Sequence, residues 1–218
     1  MVTKNQILEA VKQAYQNKGE RRFLQSVEVE VKLKGIDASK QDTSFSEVYA
    51  LPKGLGSKRR TVCIIADSAT ITKARSSGAE RVLSRADLEA LITDKKAVKK
   101  LARQYDFFVA ETGLMALVGR GMGQILGPRN KIPVPLPPSA EPAPVVDRLR
   151  NSVRVRLKGQ PVIRCVVGSE DMDPDAIAEN IIGLTEAIAQ KVKGGSSSIG
   201  AIAVKLTMGH PYRTKQVN

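Results

Sequence analysis

The 218-residue chain has one histidine, two cysteines, no tryptophan and an aromatic content of 4%. Each scarcity removes a class of function. One histidine and two separated cysteines lack the ligand spacing of zinc or iron sites, so no metal centre is expected. His210 stands beside Pro211 near the C-terminus, a poor place for the base of a nucleophile pair, and no catalytic residue is assigned. Cys63 and Cys165 lie within apolar strand patterns and read as buried thiols in a reducing compartment. With so few aromatics there is no ladder on which unpaired bases could stack. No apolar run approaches the ~18 residues of a spanning helix. Met1-Val-Thr-Lys-Asn leads directly into a helix pattern, so neither a secretory signal nor a membrane partner is expected, and the location reads as cytoplasmic.

Positive charge is abundant. Lys and Arg number 35 against 22 Asp and Glu, a net charge of +13. Such an excess suits a polyanion, and cations on phosphates are the commonest source of nucleic-acid affinity. Together with the scarcity of aromatics, it favours a structured RNA, bound by shape, backbone and 2′-hydroxyls. Two basic clusters stay ambiguous. Lys95, Lys96, Lys99, Lys100 and Arg103 form one helical face, for which solvation is the plain reading. Lys53, Lys58, Arg59 and Arg60 stand where a hinge is suspected, and suit backbone anchoring and mere solubility equally.

Two patterning grammars alternate along the chain. Thr3 and Gln6 have capping-box spacing, and Ile7, Leu8, Val11, Ala14 and Tyr15 make one apolar helix face. Residues 26–34 alternate Val27, Val29, Val31 and Leu33 with Glu28, Glu30 and Lys32, predicting a strand with one wet face; 44–51 is a second strand. Thr61-Val-Cys-Ile-Ile-Ala66 is instead continuously apolar, as in a strand buried on both faces. Helical segments near 68–77, 86–93 and 95–104 then alternate with short strands near 81–83 and 106–110, the order of a covered parallel or mixed sheet. The segment Gly119-Arg-Gly-Met-Gly-Gln-Ile-Leu-Gly127 reads as a tight glycine-rich loop, and the prolines of 128–144 predict an extended surface wrap. From Ser152 the first grammar returns: strands near 153–158 and 161–168, then a helix with Asp173 as N-cap and Pro174 at its first position. Ile177, Ile181, Leu184 and Ile188 form the buried stripe of that helix. The last strand, 199–207, alternates Ile202, Val204 and Leu206 with Ala203, Lys205 and Thr207.

Residues 1–60 alone hold one helix and two strands, too few for a stable domain. One domain is therefore expected from both chain ends, 1–66 with 157–218, and an α/β segment, 67–156, inserted between them. The final strand should pair with the first strand and with the one preceding the last helix.

The glycine loop does not match a nucleotide-binding fingerprint. After Gly119-x-Gly121 the sixth position is Gln124, after Gly121-x-Gly123 it is Leu126, and no Gly-Lys-Ser/Thr occurs. Glu111 ends a predicted strand where an α/β enzyme would place an acid, yet no partner acid or base accompanies it. A nucleotide-binding enzyme and a basic protein–protein scaffold are the competing classes.

Four stretches line up with a known family: Leu51-Pro52-Lys53-Gly54; Val118-Gly119-Arg120; Ile125-Leu126-Gly127-Pro128-Arg129-Asn130-Lys131-Ile132-Pro133; and Leu206-Thr207-Met208-Gly209. In this order they resemble ribosomal protein L-one of the large subunit, archaeal in type. The resemblance implies an α/β and α+β protein of two domains: a discontinuous two-layer α/β sandwich from both chain ends, and an inserted three-layer Rossmann-like α/β domain. It implies no enzyme and no cofactor. Implied partners are the stalk region of 23S rRNA within the large ribosomal subunit, exit-site tRNA whose release it assists, and an operator in its own mRNA, through which it represses translation. A monomer off the ribosome is expected.

Carried over by motif, Phe23, Ser26 and Glu28 would face RNA together with Thr207, Met208 and Gly209. Ser26 stands where bacterial relatives often have threonine, and Arg164 where they often have histidine. Lys32 and Lys205 join the set as basic residues on the same polar strand faces. The chemistry is compatible. Hydroxyls of Ser26 and Thr207 can meet 2′-OH groups, Met208 can pack on a sugar or base face, and Gly209 can bring backbone close. Glu28 cannot favour phosphate, so it should accept from a 2′-OH or a base amino group. Gly54, Gly56 and Gly159 near the crossings would permit hinge motion.

Overall fold

A computed structural model describes residues 3–38 and 43–214. The backbone divides into two compact units, one of residues 1–59 and 151–218, the other of 60–150. Both are mixed α/β structures, but their sheets are built on different rules.

The first unit contains α1 (Lys4–Gln16), β1 (Ser26–Leu33), β2 (Phe45–Ala50), and then β7 (Ser152–Leu157), β8 (Val162–Ser169), α7 (Pro174–Lys191), β9 (Ile199–Leu206) and β10 (Tyr212–Arg213). Its main sheet is antiparallel in the order β10-β9-β1-β8. Period-two burial along β1 sends Val27, Val29, Val31 and Leu33 into the core, where they meet Ile7 and Val11 of α1 and Ile177, Ile181, Leu184 and Ile188 of α7. Both helices thus lie on one face, and the opposite face carries the polar residues of the strands. The predicted caps hold: Gln6 Oε1 accepts from the Thr3 N–H at 3.0 Å, and the Asp173 carboxylate accepts from the Asp175 N–H at 3.2 Å. β2 pairs with β7 in a separate antiparallel ribbon.

Strand order differs from the expectation in one respect. β9 lies between β1 and β10, and β8 lies beyond β1. After the turn at His210-Pro211 the chain doubles back, pairing Tyr212 with Val204, and the Thr214 N–H reaches the Ile202 carbonyl at 2.8 Å. The edge that β8 was expected to fill is taken by this short returning strand.

The second unit runs β3 (Val62–Ile65), α2 (Ser68–Ser76), β4 (Arg81–Leu83), α3 (Arg85–Thr93), α4 (Lys95–Gln104), β5 (Phe107–Glu111), α5 (Met115–Leu126), β6 (Val134–Leu136) and α6 (Pro142–Arg150). All four strands are parallel, in the order β4-β3-β5-β6. Cys63, Ile65, Phe108 and Ala110 pack with residues of α3, α4 and α5. Their neighbours Val62, Ile64 and Val109 are equally buried, with α6 against β3 and α2 against α6. The continuous apolar run predicted for β3 thus serves a sheet covered on both faces.

Three expectations shift here. The breaks expected at 66/67 and 156/157 fall at 59/60 and 150/151: β3 hydrogen-bonds to β4 and β5 of the middle unit, and β7 pairs with β2 of the first. The glycine-rich segment forms no loop but the helix α5, whose Val118, Met122 and Leu126 are buried at i, i+4, i+8 spacing. A Cβ at Gly121 would collide with the Ile92 side chain of α3, so that glycine permits close helix–helix approach. The proline-rich segment holds a short strand and a helix. Pro135 sits in β6, an edge strand, and Pro142 and Pro144 occupy the first turn of α6, places where a missing N–H costs little.

Candidate nucleic-acid interface

The polar face of the main sheet converges at one end, where β1 begins and β9 finishes. The Ser26 N–H donates to Thr207 Oγ1 at 3.1 Å, and the Thr207 N–H donates to the Ser26 carbonyl at 3.1 Å. Beside this pair, Glu28 stands opposite Lys205, whose Nζ lies 3.7 Å from Glu28 Oε2 and 3.1 Å from the Thr207 carbonyl.

Two large apolar side chains mark the same end. Met208 is 60% exposed and Phe23 50% exposed; among the described residues Ile132 of the second unit is the other large apolar side chain exposed to this degree. The Met208 N–H donates to Gln25 Oε1 at 3.1 Å. Gln25 is itself fully buried, and its Nε2 donates to the Lys18 carbonyl and to Glu170, each at 3.2 Å. The turn after β9 is thereby fastened to the segment that carries Phe23, two residues before Gln25. Gly209 closes the turn, its N–H donating to the Leu206 carbonyl at 2.9 Å. An added Cβ there would stand 3.3 Å from Leu206 Cβ, a tight approach that a small shift of the neighbour would relieve.

Six of the residues inferred from sequence therefore gather: Ser26, Glu28, Lys205, Thr207, Met208 and Gly209, with Phe23 on the adjoining loop. Two stand apart. Arg164 of β8 is held by Glu30 through a 2.8 Å ion pair, one pleat along from Glu28. Lys32 lies six residues up β1 from Ser26, about 20 Å at the usual strand rise, and takes no part in the cluster.

The three glycines expected at the crossings all lie inside the first unit. Each has positive φ, which explains its identity. The 51–57 turn is pinned. The Lys53 N–H donates to Asn180 Oδ1 at 2.8 Å, and Asn180 Nδ2 donates to the Gly54 and Val167 carbonyls, each at 2.8 Å. A Cβ on Gly54 would sit 2.6 Å from Asn151 Oδ1, and one on Gly56 would strike Ser169 and Met172. Gly159 turns between β7 and β8, its N–H bonded to the Ala38 carbonyl. The 51–57 turn is packed, the turn at Gly159 is exposed, and neither crossing falls on any of the three.

Among the described residues no group of histidine, cysteine, aspartate and glutamate could hold a metal ion, and no helix is long and apolar enough to cross a membrane. In the second unit, Glu111 Oε2 accepts from the Asp67 N–H at 2.9 Å, fastening β5 to the end of β3. Its carboxylate has a structural task at the very position where an α/β enzyme would place an acid.

Comparison with known proteins bears on this arrangement. Residues 10–210 match the model of the ribosomal protein L1p/L10e family. The chain belongs to that family. It is similar to the large ribosomal subunit protein uL1 of Methanothermobacter thermautotrophicus, with 42% identity over 95% of this chain and 98% of that one. The protein of the same name from Archaeoglobus fulgidus is 38% identical over 98% and 99% of the two chains, and that from Pyrococcus abyssi 42% identical over 97% and 96%.

Two members of the site were not legible as such in the sequence. Lys58 Nζ donates to Ser26 Oγ at 3.0 Å, bringing a cation from the basic 53–60 run into the cluster. In the sequence it stands in a basic run at a suspected hinge, as apt for mere solubility as for backbone anchoring. Gln25 gave no signal at all, because its role depends on three partners distant in sequence or in a loop.

Proposed function

We propose that the chain is a structural, non-enzymatic protein of the large ribosomal subunit, and that it binds the stalk region of 23S-type rRNA with the end of its open sheet. On this reading it acts in the cytoplasm on the ribosome, assists release of deacylated tRNA from the exit site, represses translation by binding a similar structure in its own mRNA, and is a monomer when free. The observation that carries the proposal is the exposed pair Met208 and Phe23 beside a preorganised set of hydroxyl, carboxylate and ammonium groups. Exposed apolar groups among polar hydrogen-bonding groups suit the sugar and base edges of a folded RNA, while lysines supply the salt-dependent part of affinity. Membership of a ribosomal protein family and the net charge of +13 support the same partner.

Filter binding to an rRNA stalk fragment tests it. Met208→Ala and Phe23→Ala should each weaken specific binding by about tenfold, roughly 1.4 kcal/mol, with thermal stability unchanged. Thr207→Ala is a less clean probe, since losing the hydroxyl orphans the Ser26 N–H and should cost about 1 kcal/mol of stability. Wild-type affinity in both the Met208 and Phe23 variants would overturn the site. The tRNA and mRNA roles are tested separately, by tRNA release from stalled ribosomes and by a reporter carrying the protein's own leader.

A further inference from the structure

The second unit carries a concentration of charge that the open sheet of the first does not use. α4 has the sequence Lys-Lys-Ala-Val-Lys-Lys-Leu-Ala-Arg-Gln and contains no acid. Val98, Leu101 and Ala102 are buried, whereas Lys95, Lys96, Lys99, Lys100 and Arg103 are all exposed. At 3.6 residues per turn the five cations form two adjoining rows, Lys95-Lys99-Arg103 and Lys96-Lys100, about 12 Å long by helix rise.

This arrangement works against the helix. Like charges at i, i+4 repel, and Lys95 and Lys96 sit at the N-terminal end, where the backbone dipole disfavours cations. No ion pair among the described residues relieves them, although other helical cations have carboxylate partners, as Lys73 has Glu141 and Arg85 has Glu89. The surface is also firmly held. Arg129 Nη1 donates to the Lys99 carbonyl at 3.2 Å, and Lys131 Nζ donates to the carbonyls of Ala102 and Tyr105 at 3.0 and 2.7 Å. The Ile125–Pro133 motif, which has no place at the open sheet, thus buttresses the last turn of α4 and sets Ile132, 57% exposed, on the loop that follows.

We infer that the exposed face of α4, with Arg129, is a second RNA-contacting surface, one that grips the phosphate backbone without reading sequence. Membrane binding would need an apolar face free to enter lipid, and the apolar face of α4 is spent in the core. A polyanion with regularly spaced charge relieves both the repulsion along each row and the dipole conflict. The inference rests on the reading of this chain as an RNA-binding ribosomal protein, but assigns a separate contact with its own signature.

The test uses the full chain, titrated at several salt concentrations with the rRNA stalk fragment and with a double-stranded RNA of unrelated sequence. Lys96→Ala, Lys99→Ala and Arg103→Ala, combined, should weaken binding to both RNAs and lower the salt slope by about one per cation removed. Alanine favours the helix, so circular dichroism should show the fold retained. A control removes three cations from the same unit: Lys73→Ala, Arg75→Ala and Arg85→Ala. The control should leave the slope close to wild type. An equal fall in both variants, or no fall in the α4 variant, overturns the inference while leaving the open-sheet site standing. Dependence of phosphatidylserine vesicle binding, but not RNA binding, on the α4 cations overturns it in favour of lipid. Absence of RNA binding by the wild-type chain overturns both readings.

Discussion

Glu28 and Lys205 face each other across the β1–β9 pair, with the ammonium 3.7 Å from the carboxylate and hydrogen-bonded to the Thr207 carbonyl. The acid therefore has a partner within the protein, and the presence of a carboxylate on the surface proposed to face RNA acquires a physical reason. It positions the lysine, and its second oxygen remains available to accept from a 2′-OH or a base amino group. The pair is about one-third exposed on each side, so its contribution to stability is small.

Glu28→Gln accordingly should change unfolding free energy by no more than about 0.5 kcal/mol. It should alter recognition more. With the acid gone, Lys205 is free to meet phosphate, so the salt slope should steepen by about one while discrimination between stalk RNA and unrelated RNA falls. Competition filter binding at two salt concentrations measures both. An unchanged slope with unchanged discrimination would remove Glu28 from the interface.

The three glycines of α5 should respond to alanine with opposite signs. At Gly119 and Gly123 an added Cβ meets nothing within 4 Å, so Gly119→Ala and Gly123→Ala should each stabilise by about 0.5–1 kcal/mol through helix propensity. At Gly121 the Cβ enters the space of the branched Ile92 side chain, and Gly121→Ala should destabilise by about 1–3 kcal/mol. Urea unfolding of the three variants distinguishes the cases; a uniform response would contradict the α3–α5 packing.

Acid stability offers a third check. Burial alone would raise the Glu80 carboxyl, but the Val62 N–H at 2.7 Å and the Arg150 guanidinium at 2.8 Å outweigh it and hold the group below its ordinary value of 4.5. A depressed carboxylate adds stability above its unfolded pKa, and that stability is lost as pH falls through the folded value. Unfolding midpoints should thus decline below about pH 4.5. Glu80→Gln should be less stable at pH 7 by about 1 kcal/mol and show a shallower acid decline. Parallel pH profiles for the two proteins would show that Glu80 contributes nothing.

Much of this architecture is written locally. Alternation in 26–33 fixes which side chains of β1 are buried, because a strand turns successive residues to opposite faces, and the stripe of α7 follows equally from helical period. The apolar run at 62–65 announces a strand covered on both sides. Net charge excludes little by itself, and with few aromatics it gives the expectation of a structured polyanion as partner. The motif at 206–209 marked the end of the sheet that the structure shows to be its most exposed apolar point.

Other features depend on neighbours that no local pattern names. Four glycines in nine residues read as a loop, since glycine weakens an isolated helix; only the approach of α3, with Ile92 against Gly121, shows what glycine permits there. The break between units moved by several residues because β3 and β7 are assigned by the strands they pair with, and pairing is set by contacts distant in sequence. Lys58 belongs with Ser26 for the same reason, across 32 residues. Sequence by itself thus determined periodicity, caps and charge, which depend on near neighbours. Tertiary structure decided strand order, unit boundaries and which residues gather at the candidate interface, because hydrogen bonds and close packing between distant segments form only when the whole chain is in place.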